Sequence, residues 1–451
     1  MSDTARHDIQ AELARVCHGL VASSQWWVAY SGGLDSAVLL HAITHYISSL
    51  DQDCRPVLRV IHINHGLSPH AYQWQQHCVE QSRALGLSCE VVAVQVENTG
   101  QGIEAEARLR RYRAFAKHLG PDDILLTGHH GDDQVETFFL RMMRGAGIAG
   151  LGAMRRWSQV YGCNIFRPLL SLSRTDLEAY ARQQSLQWVD DESNDDQGFS
   201  RNYLRHQVMP VLQAKWPQYR QSIARSAQWC READMLLAEY AQTDLEALLR
   251  CHRWGMFMAL TDLQALSEPR CKAVLLRWLK TRGLSVPRVA DWPPILAAIA
   301  HHTQGCCLTF ANYRLIIFQS ALYIVEGHLA TLQGRLPYRY RIDTLPFSVS
   351  LPYGVLTIVA PEGVDAAVIE VRSRVGGERC RVVGRGGSRS VKKLLLEAAM
   401  PIWLRAFVPL VYVDDELFSV ADVYMTQSSQ KVDQIKLQIH WRVEADCADI
   451  S

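Results

Sequence analysis

Residues 26–36 read Trp26-Trp27-Val28-Ala29-Tyr30 and then Ser31-Gly32-Gly33-Leu34-Asp35-Ser36, and they run into AVLLHAITHYISSL at 37–50. An apolar run, a glycine turn and a longer apolar segment predict strand, turn and helix in that order. Two successive glycines let the backbone approach an anion closely and take positive φ without steric cost. A helix starting near Leu34 directs unpaired N–H groups and a partial positive charge into the turn. The hydroxyls of Ser31 and Ser36 add donors. The six residues therefore read as a phosphate cradle. It is not a Walker A loop, because G-x-x-x-x-G-K-S/T is missing, and it is not the G-x-G-x-x-G fingerprint of dinucleotide folds. Asp35 alone would repel phosphate. A Mg²⁺ ion between its carboxylate and phosphate oxygens removes the conflict, which makes Asp35 the expected metal ligand.

Outward from this turn the chain alternates. VLRVIHI (57–63), a helical pattern over 71–86, VVAVQV (91–96), a charged helix over 103–119, ILLTGHH (124–130) and a helix from near Asp132 follow in order. Short apolar runs separated by helices of a dozen or more residues predict βαβ units and an α/β, doubly wound parallel sheet. In such sheets ligands bind beyond the carboxyl ends of the strands.

The 451 residues exceed one core at ~100–200 residues per domain. Expected domains are 1–215, doubly wound; 216–330, mainly helical with strands within 307–326; and 331–451, a small α+β unit. Hydrophobic residues at 48% and charged residues at 21% exclude a disordered chain. Lys+Arg 47 against Asp+Glu 46 excludes a protein that coats polyanions with its whole surface, so any nucleic-acid contact has to be a local patch. No apolar run reaches a membrane span, and the N-terminus carries charges where a signal peptide would be apolar. No C-x-x-C occurs among the 12 cysteines, so they read as small hydrophobes in a reducing, cytoplasmic setting.

Four further constellations carry chemistry. In His62-Ile63-Asn64-His65-Gly66-Leu67-Ser68, Asn64 and His65 are placed to reach a ligand at the end of the second strand. In Gly128-His129-His130-Gly131-Asp132-Asp133-Gln134-Val135-Glu136-Thr137, Asp133 and Glu136 share a helix face and suit an ammonium ion or Mg²⁺. In Gly102 to Arg113, a pairing of Arg108 with Glu104 leaves another arginine free for phosphate charge, while Arg110 and Arg113 read as solvated i,i+4 partners. Arg167-Pro168-Leu169-Leu170, Asp190 to Asn194 and Ser200 to Arg205 are loops with polar punctuation.

Ser31 to Ser36 resembles the PP-loop of N-type ATP pyrophosphatases, which cleave ATP between the α and β phosphates on a five-stranded parallel sheet. Taken in order, SGGLDS, HINHGLS, E-x-x-AR-x-x-RY, GHHGDDQVET, RPLL, D-x-SN and RN-x-x-R resemble the bacterial tRNA(Ile)-lysidine synthetases. The match is close over about the first 215 residues. It is weaker through Gly377-Glu378-Arg379, Lys392-Lys393-Leu394, Pro401 to Arg405 and Pro409-Leu410. The resemblance implies ATP and Mg²⁺ as cofactors, and L-lysine and an isoleucine tRNA with a CAU anticodon as partners. It further implies adenylation of C2 of the wobble cytidine and displacement of AMP by the lysine ε-amine. It assigns Ser31, Gly32, Gly33, Leu34, Asp35, Ser36, His62, Asn64, His65, Gly128 and His129 to ATP, with Asp35 on the metal. Asp133 and Glu136 fall to lysine or metal, and Arg108 or Arg111 to phosphate charge. No protein partner is expected, and the enzyme is read as a monomer or homodimer.

Between Val371 and Lys393 stand eight Lys/Arg against the single acid Glu378. This predicts a tRNA-backbone patch that includes Arg379, Arg385, Arg389, Lys392 and Lys393. Arg201, Arg205 and Arg405 join it through the resemblance. Three alternatives have distinct signatures. Another PP-loop enzyme such as a tRNA thiolase would need cysteines near the crevice. A metal-dependent hydrolase would use His129, His130, Asp132 and Asp133 without tRNA. A non-catalytic RNA-binding protein would consume no ATP.

Overall fold

The computed structural model describes residues 8–20, 25–66, 68–95, 103–190, 200–326, 336–360, 368–428 and 437–443. The chain forms two compact units, residues 1–235 and 236–451.

In the first unit the elements are α1 (Ile9–Cys17), β1 (Trp26–Ala29), α2 (Leu34–Ser49), β2 (Leu58–Asn64), α3 (Ala71–Ala84), β3 (Cys89–Ala93), α4 (Ile103–His118), β4 (Ile124–Leu126), α5 (Gly131–Met143), α6 (Ile148–Leu151), β5 (Trp157–Val160), β6 (Cys163–Phe166), α7 (Arg174–Gln183), α8 (Ser200–Tyr203) and α9 (Met209–Lys215). The sheet order is β3-β2-β1-β4-β6-β5. β1 pairs in parallel with β2 and with β4, and β2 with β3 and β4 with β6 are also parallel. The expected parallel, doubly wound sheet is present with five strands, and an antiparallel edge strand, β5, adds a sixth. Trp26, Trp27 and Val28 are buried, as a strand covered on both faces requires. The apolar residues of α2, Val38 to Ile43, pack with Trp26, Val28 and Phe166.

ILLTGHH yields only three strand residues, because Thr127 to His130 leave the sheet to form a loop. The chain goes from β1 outward to β2 and β3 and then returns through α4 to β4 on the other side of β1. The carboxyl ends of β1 and β4 thus flank the point where strand order reverses, the position at which doubly wound sheets take their ligands. Val135 of α5 packs with Met209 and Tyr219 and with Leu212 and Ile223, which fixes the segments after residue 200 against α5.

In the second unit, α10 (Tyr219–Leu248) runs in from residue 219 and is followed by β7 (Leu249–His252), β8 (Gly255–Ala259), α11 (Leu260–Gln264), α12 (Glu268–Thr281), α13 (Trp292–Ala300), β9 (Cys307–Thr309), β10 (Tyr313–Phe318) and β11 (Ala321–Glu326). The middle region is helical with strands within 307–326 as expected, three in number, and the hairpin β7–β8 joins them in an antiparallel sheet, β7-β8-β11-β10-β9. Beyond it lie antiparallel sheets of five, three and two strands and one described helix, α14 (Val391–Glu397).

Among the described residues no helix is long and apolar enough to cross a membrane. Cys17, Cys78, Cys163, Cys271 and Cys380 are buried free thiols, as expected, whereas Cys54 and Cys307 are exposed and Cys251 is disulfide-bonded.

Candidate active site

The turn after β1 is shaped from inside. Gly32 takes φ +88, and a Cβ there would meet Cys78 Sγ at 3.0 Å. Its carbonyl accepts from Val189 N at 2.9 Å. Ser36 Oγ donates to Gly33 O at 2.9 Å and accepts from Ser31 N at 3.2 Å, and the Ser31 hydroxyl lies 3.1 Å from it. Gly33 caps α2 without a side chain, so the amides of the first turn face the bend. Leu34 is buried in the core and contributes backbone alone, while Ser31 is exposed. At Gly128 an added Cβ would lie 2.8 Å from the Asp35 carbonyl oxygen, so the start of α2 and the loop after β4 meet backbone to backbone.

That approach delivers α5 to Asp35. His130 caps α5: its Nδ1 accepts from Asp132 N at 3.2 Å, and its own N donates to Asp133 Oδ2 at 3.0 Å. Its Nε2 then lies 3.5 Å from Asp35 Oδ2 and 3.6 Å from Asp133 Oδ2. Burial opposes a charge on this ring, but Asp133, Asp35 and Asp132 outweigh burial and raise its pKa to about 9. His130 Nε2 thus lies between two acidic segments. Asp35, which burial alone would raise, is held below the ordinary carboxylate range by His130 and by Arg174, whose Nη1 lies 3.3 Å from both carboxylate oxygens.

Asp132 accepts from Arg174 N at 2.8 Å and from Arg220 Nε at 2.5 Å. Glu136 has no exposed surface. Its Oε1 accepts from Arg205 Nε at 2.9 Å and pairs with Nη2 at 2.8 Å, and Arg201 Nε lies 3.3 Å from Oε2. Burial pushes the Glu136 pKa up despite Arg205 beside it. Arg201 and Arg205, expected on a tRNA-facing surface, instead sit on the carboxylate of α5, because a buried charge needs a counter-charge. Four carboxylates are thus met by four guanidiniums, with His130 Nε2 beside two of them. Arg167, Arg111 and Arg108 act on the neighbouring His129, so the site is suited to a polyphosphate.

The remaining expected residues divide. His129 is half-buried; desolvation, joined by Arg167, Arg111 and Arg108 and opposed by Asp133, lowers its pKa to about 3, and its Nδ1 shares a 2.8 Å hydrogen bond with Thr127 Oγ1. His129 is tied to Thr127 and His130 caps α5, and among the described residues no group of three His, Cys, Asp or Glu is placed to hold a metal ion. His62 Nδ1 bonds Tyr30 O at 2.9 Å and so ties β2 to the turn. Asn64 accepts from Gly66 N and donates to Gln75, each at 2.9 Å, closing its own loop. His65 is half-buried, its pKa lowered by desolvation to about 4, with its buried Nδ1 making no hydrogen bond. Arg108 and Arg111 lie over the Tyr112 ring at 5.1 and 5.8 Å. Arg110 pairs with Glu106 at 2.6 Å at the expected i,i+4 spacing, but Glu106 is buried, so the pair is not the solvated one expected. Gly102, the Glu104 side chain, Leu67 and Asp191 to Asn194 lie outside the described residues.

Sequence reading missed Arg174 and Arg220. The capping box of Ser173 with Asp176 announces α7, but nothing in its spacing says that the next residue reaches Asp35.

Three family models match in chain order: a PP-loop domain over residues 5–212, a TilS substrate binding domain over 258–323 and a TilS substrate C-terminal domain over 369–441. The chain is 37% identical over 449 residues to the tRNA(Ile)-lysidine synthase of Serratia proteamaculans (strain 568), covering 97% of this chain and 99% of that one. It belongs to the tRNA(Ile)-lysidine synthase family. The lysidine synthase of Escherichia coli O157:H7 is 34% identical over 437 residues, covering 94% and 98% of the two chains. Among solved structures, a U34-tRNA thiolase from Methanococcus maripaludis with its [4Fe-4S] cluster aligns with a TM-score of 0.41 at 16% identity, over 50% of this chain and 78% of that one. In this lysidine synthase family member, the turn at Ser31–Ser36 lies within the residues matched by the PP-loop domain.

In the second unit the basic run is less bare than its sequence. Arg385 and Arg389 both pair with Glu397, at 2.5 and 2.8 Å, Arg374 pairs with Glu378 at 3.4 Å, and Arg372 meets Glu370 and Asp415. Arg379 Nη2 donates to Ser388 O at 3.0 Å, and Arg405 Nε to Met400 O at 2.9 Å. Lys392 and Lys393 are exposed on α14.

Proposed function

We propose that this chain uses ATP to modify the wobble cytidine of an isoleucine tRNA with a CAU anticodon, joining lysine to C2. The C2 oxygen attacks the α-phosphorus of ATP and diphosphate departs. The lysine ε-amine, having lost its ammonium proton, then attacks C2, and AMP departs. Adenylation is needed because a carbonyl-type oxygen is otherwise a poor leaving group. The observation that carries this reading is the meeting of the glycine turn with Asp35, Asp133 and Glu136 at the carboxyl ends of β1 and β4, in a chain aligned end to end with lysidine synthases.

In this reading the amides of the first turn of α2 hold phosphate oxygens, with the Ser31 hydroxyl beside them. Mg²⁺ needs only one or two carboxylates when phosphates complete its shell, and Asp35, 29% exposed beside the turn, meets that need. When bound, the ion neutralises charge at the reacting phosphates. Arg108 and Arg111 supply phosphate charge, and Asp133 and Glu136 hold the amino acid. Arg379, Arg385, Arg389, Lys392, Lys393 and Arg405 contact tRNA, in a division of labour among 1–215, 216–330 and 331–451. The enzyme acts in the cytoplasm, as a monomer or homodimer without a further protein partner.

The test is incubation with ATP, Mg²⁺, labelled L-lysine and the CAU-anticodon isoleucine tRNA, followed by nucleoside analysis. Lysidine with equimolar AMP is expected. A thiolated nucleoside, or phosphate release without tRNA, would replace this reading.

A further inference from the structure

The carboxylates read as holding lysine are already engaged. Arg205 sets Nε and Nη2 at 2.9 and 2.8 Å from Glu136 Oε1 and reaches to 3.7 Å from Asp133 Oδ1, while Arg201 faces Glu136 Oε2 at 3.3 Å. With no exposed surface on Glu136, an incoming ammonium finds Oε1 taken by Arg205, while the buried Oε2 has the Arg201 ion pair but accepts no hydrogen bond. Two carboxylates already balanced by two guanidiniums also gain little from a third cation, so a substrate ammonium enters favourably only as a guanidinium withdraws.

The two sides of the pairing differ in rigidity. Glu136 lies inside α5, next to Val135, which is packed against Met209 and Tyr219. Arg205 is carried by Leu204–Val208, a π-helical stretch between α8 and α9. Such stretches carry wider, less favourable hydrogen-bond rings than an α-helix and recur at functional sites. The partner able to yield is therefore Arg205.

Resting on the lysine-binding reading of Asp133 and Glu136, we propose that Arg205 is an internal stand-in for the substrate. Its guanidinium holds these carboxylates in the lysine-free enzyme and surrenders them to the ammonium of incoming lysine. Arg205 is a positioning residue that sets lysine affinity, since apparent binding is weakened by the fraction of molecules in which the guanidinium is still in place.

The test is steady-state kinetics of the full chain with ATP, tRNA and L-lysine, with lysine binding measured by calorimetry. Arg205→Gln removes the competing charge and keeps a hydrogen-bonding group. The KM for lysine is expected to fall about fivefold or more, with the KM for ATP within about twofold of wild type. Arg205→Lys, a single-point cation, is expected to lower the lysine KM by a smaller factor, and it decides the matter if the glutamine variant does not fold. A lysine KM that is unchanged or raised in the folded variant overturns the stand-in. Glu136→Gln separates the two layers. If it raises the lysine KM, the lysine site stands whatever the arginine variants show. If it leaves that KM unchanged, the site reading falls and the stand-in falls with it.

Discussion

Gly128 and Asp35 touch through their backbones: a methyl group on residue 128 would sit 2.8 Å from the Asp35 carbonyl oxygen. The contact seats the loop that ends at His130 against the first turn of α2. Gly128→Ala forces the two apart, and overpacking of this kind costs about 1–3 kcal/mol. A lower melting temperature is expected together with a fall in ATP-dependent lysine incorporation. Unchanged activity in the folded variant would show that this spacing does not matter to the chemistry.

Asp35→Ala is expected to abolish incorporation of labelled lysine and leave tRNA binding intact, because Asp35 lies at the nucleotide turn and the basic residues belong to the second unit. Filter binding beside the activity assay checks this. Parallel loss of both would make Asp35 a folding residue.

Arg174→Gln leaves the Asp35 carboxylate facing His130 Nε2 and removes a guanidinium 3.3 Å away. Since Arg174 orients the carboxylate beside the phosphates, kcat/KM for ATP is expected to drop roughly tenfold or more, with a near-normal melting temperature. Initial rates at varied ATP measure it.

On the tRNA side, Lys392→Ala with Lys393→Ala should weaken tRNA binding and reduce the slope of log K against log salt by about one unit per lost phosphate contact. Glu397→Gln should act in the opposite direction, since it frees Arg385 and Arg389 from their shared carboxylate. Salt titrations of tRNA affinity distinguish the two. An unchanged slope in both variants removes this surface from the interface.

What could be read from the sequence was local. The strand, glycine turn and helix over 26–49 lie in one continuous stretch, and Asp133 and Glu136 are three residues apart on one helix, so spacing revealed them. Contacts closed by tertiary folding left no such trace. Glu136 meets Arg205 across 69 positions, and Asp35 meets Arg174 across 139. The same blindness made the run from Val371 to Lys393 look barer than it is, because Glu397, Glu370 and Asp415 lie outside the window. Strand-like letters in ILLTGHH misled for another reason: the apolar pattern ends at Leu126, and Gly128 is selected by its neighbour across the gap rather than by strand geometry. The β7–β8 hairpin escaped because its strands, of four and five residues, follow without a break on a long helix.

Trp26, Trp27 and Val28 are locked in register on both sides, to Leu58, Arg59 and Val60 on one and to Ile124, Leu125 and Leu126 on the other. Seven residues after Val28 comes Asp35, with no slack segment between. Adding or deleting one amino acid there would have to be absorbed either by slipping a central strand, which breaks its register with β2 and β4 and misfits its side chains in the two cores, or by rotating the carboxylate away from its partners. This stretch is therefore intolerant of length change. A scan of single-codon insertions would map the boundary of that intolerance from Val28 to the opening turn of α2.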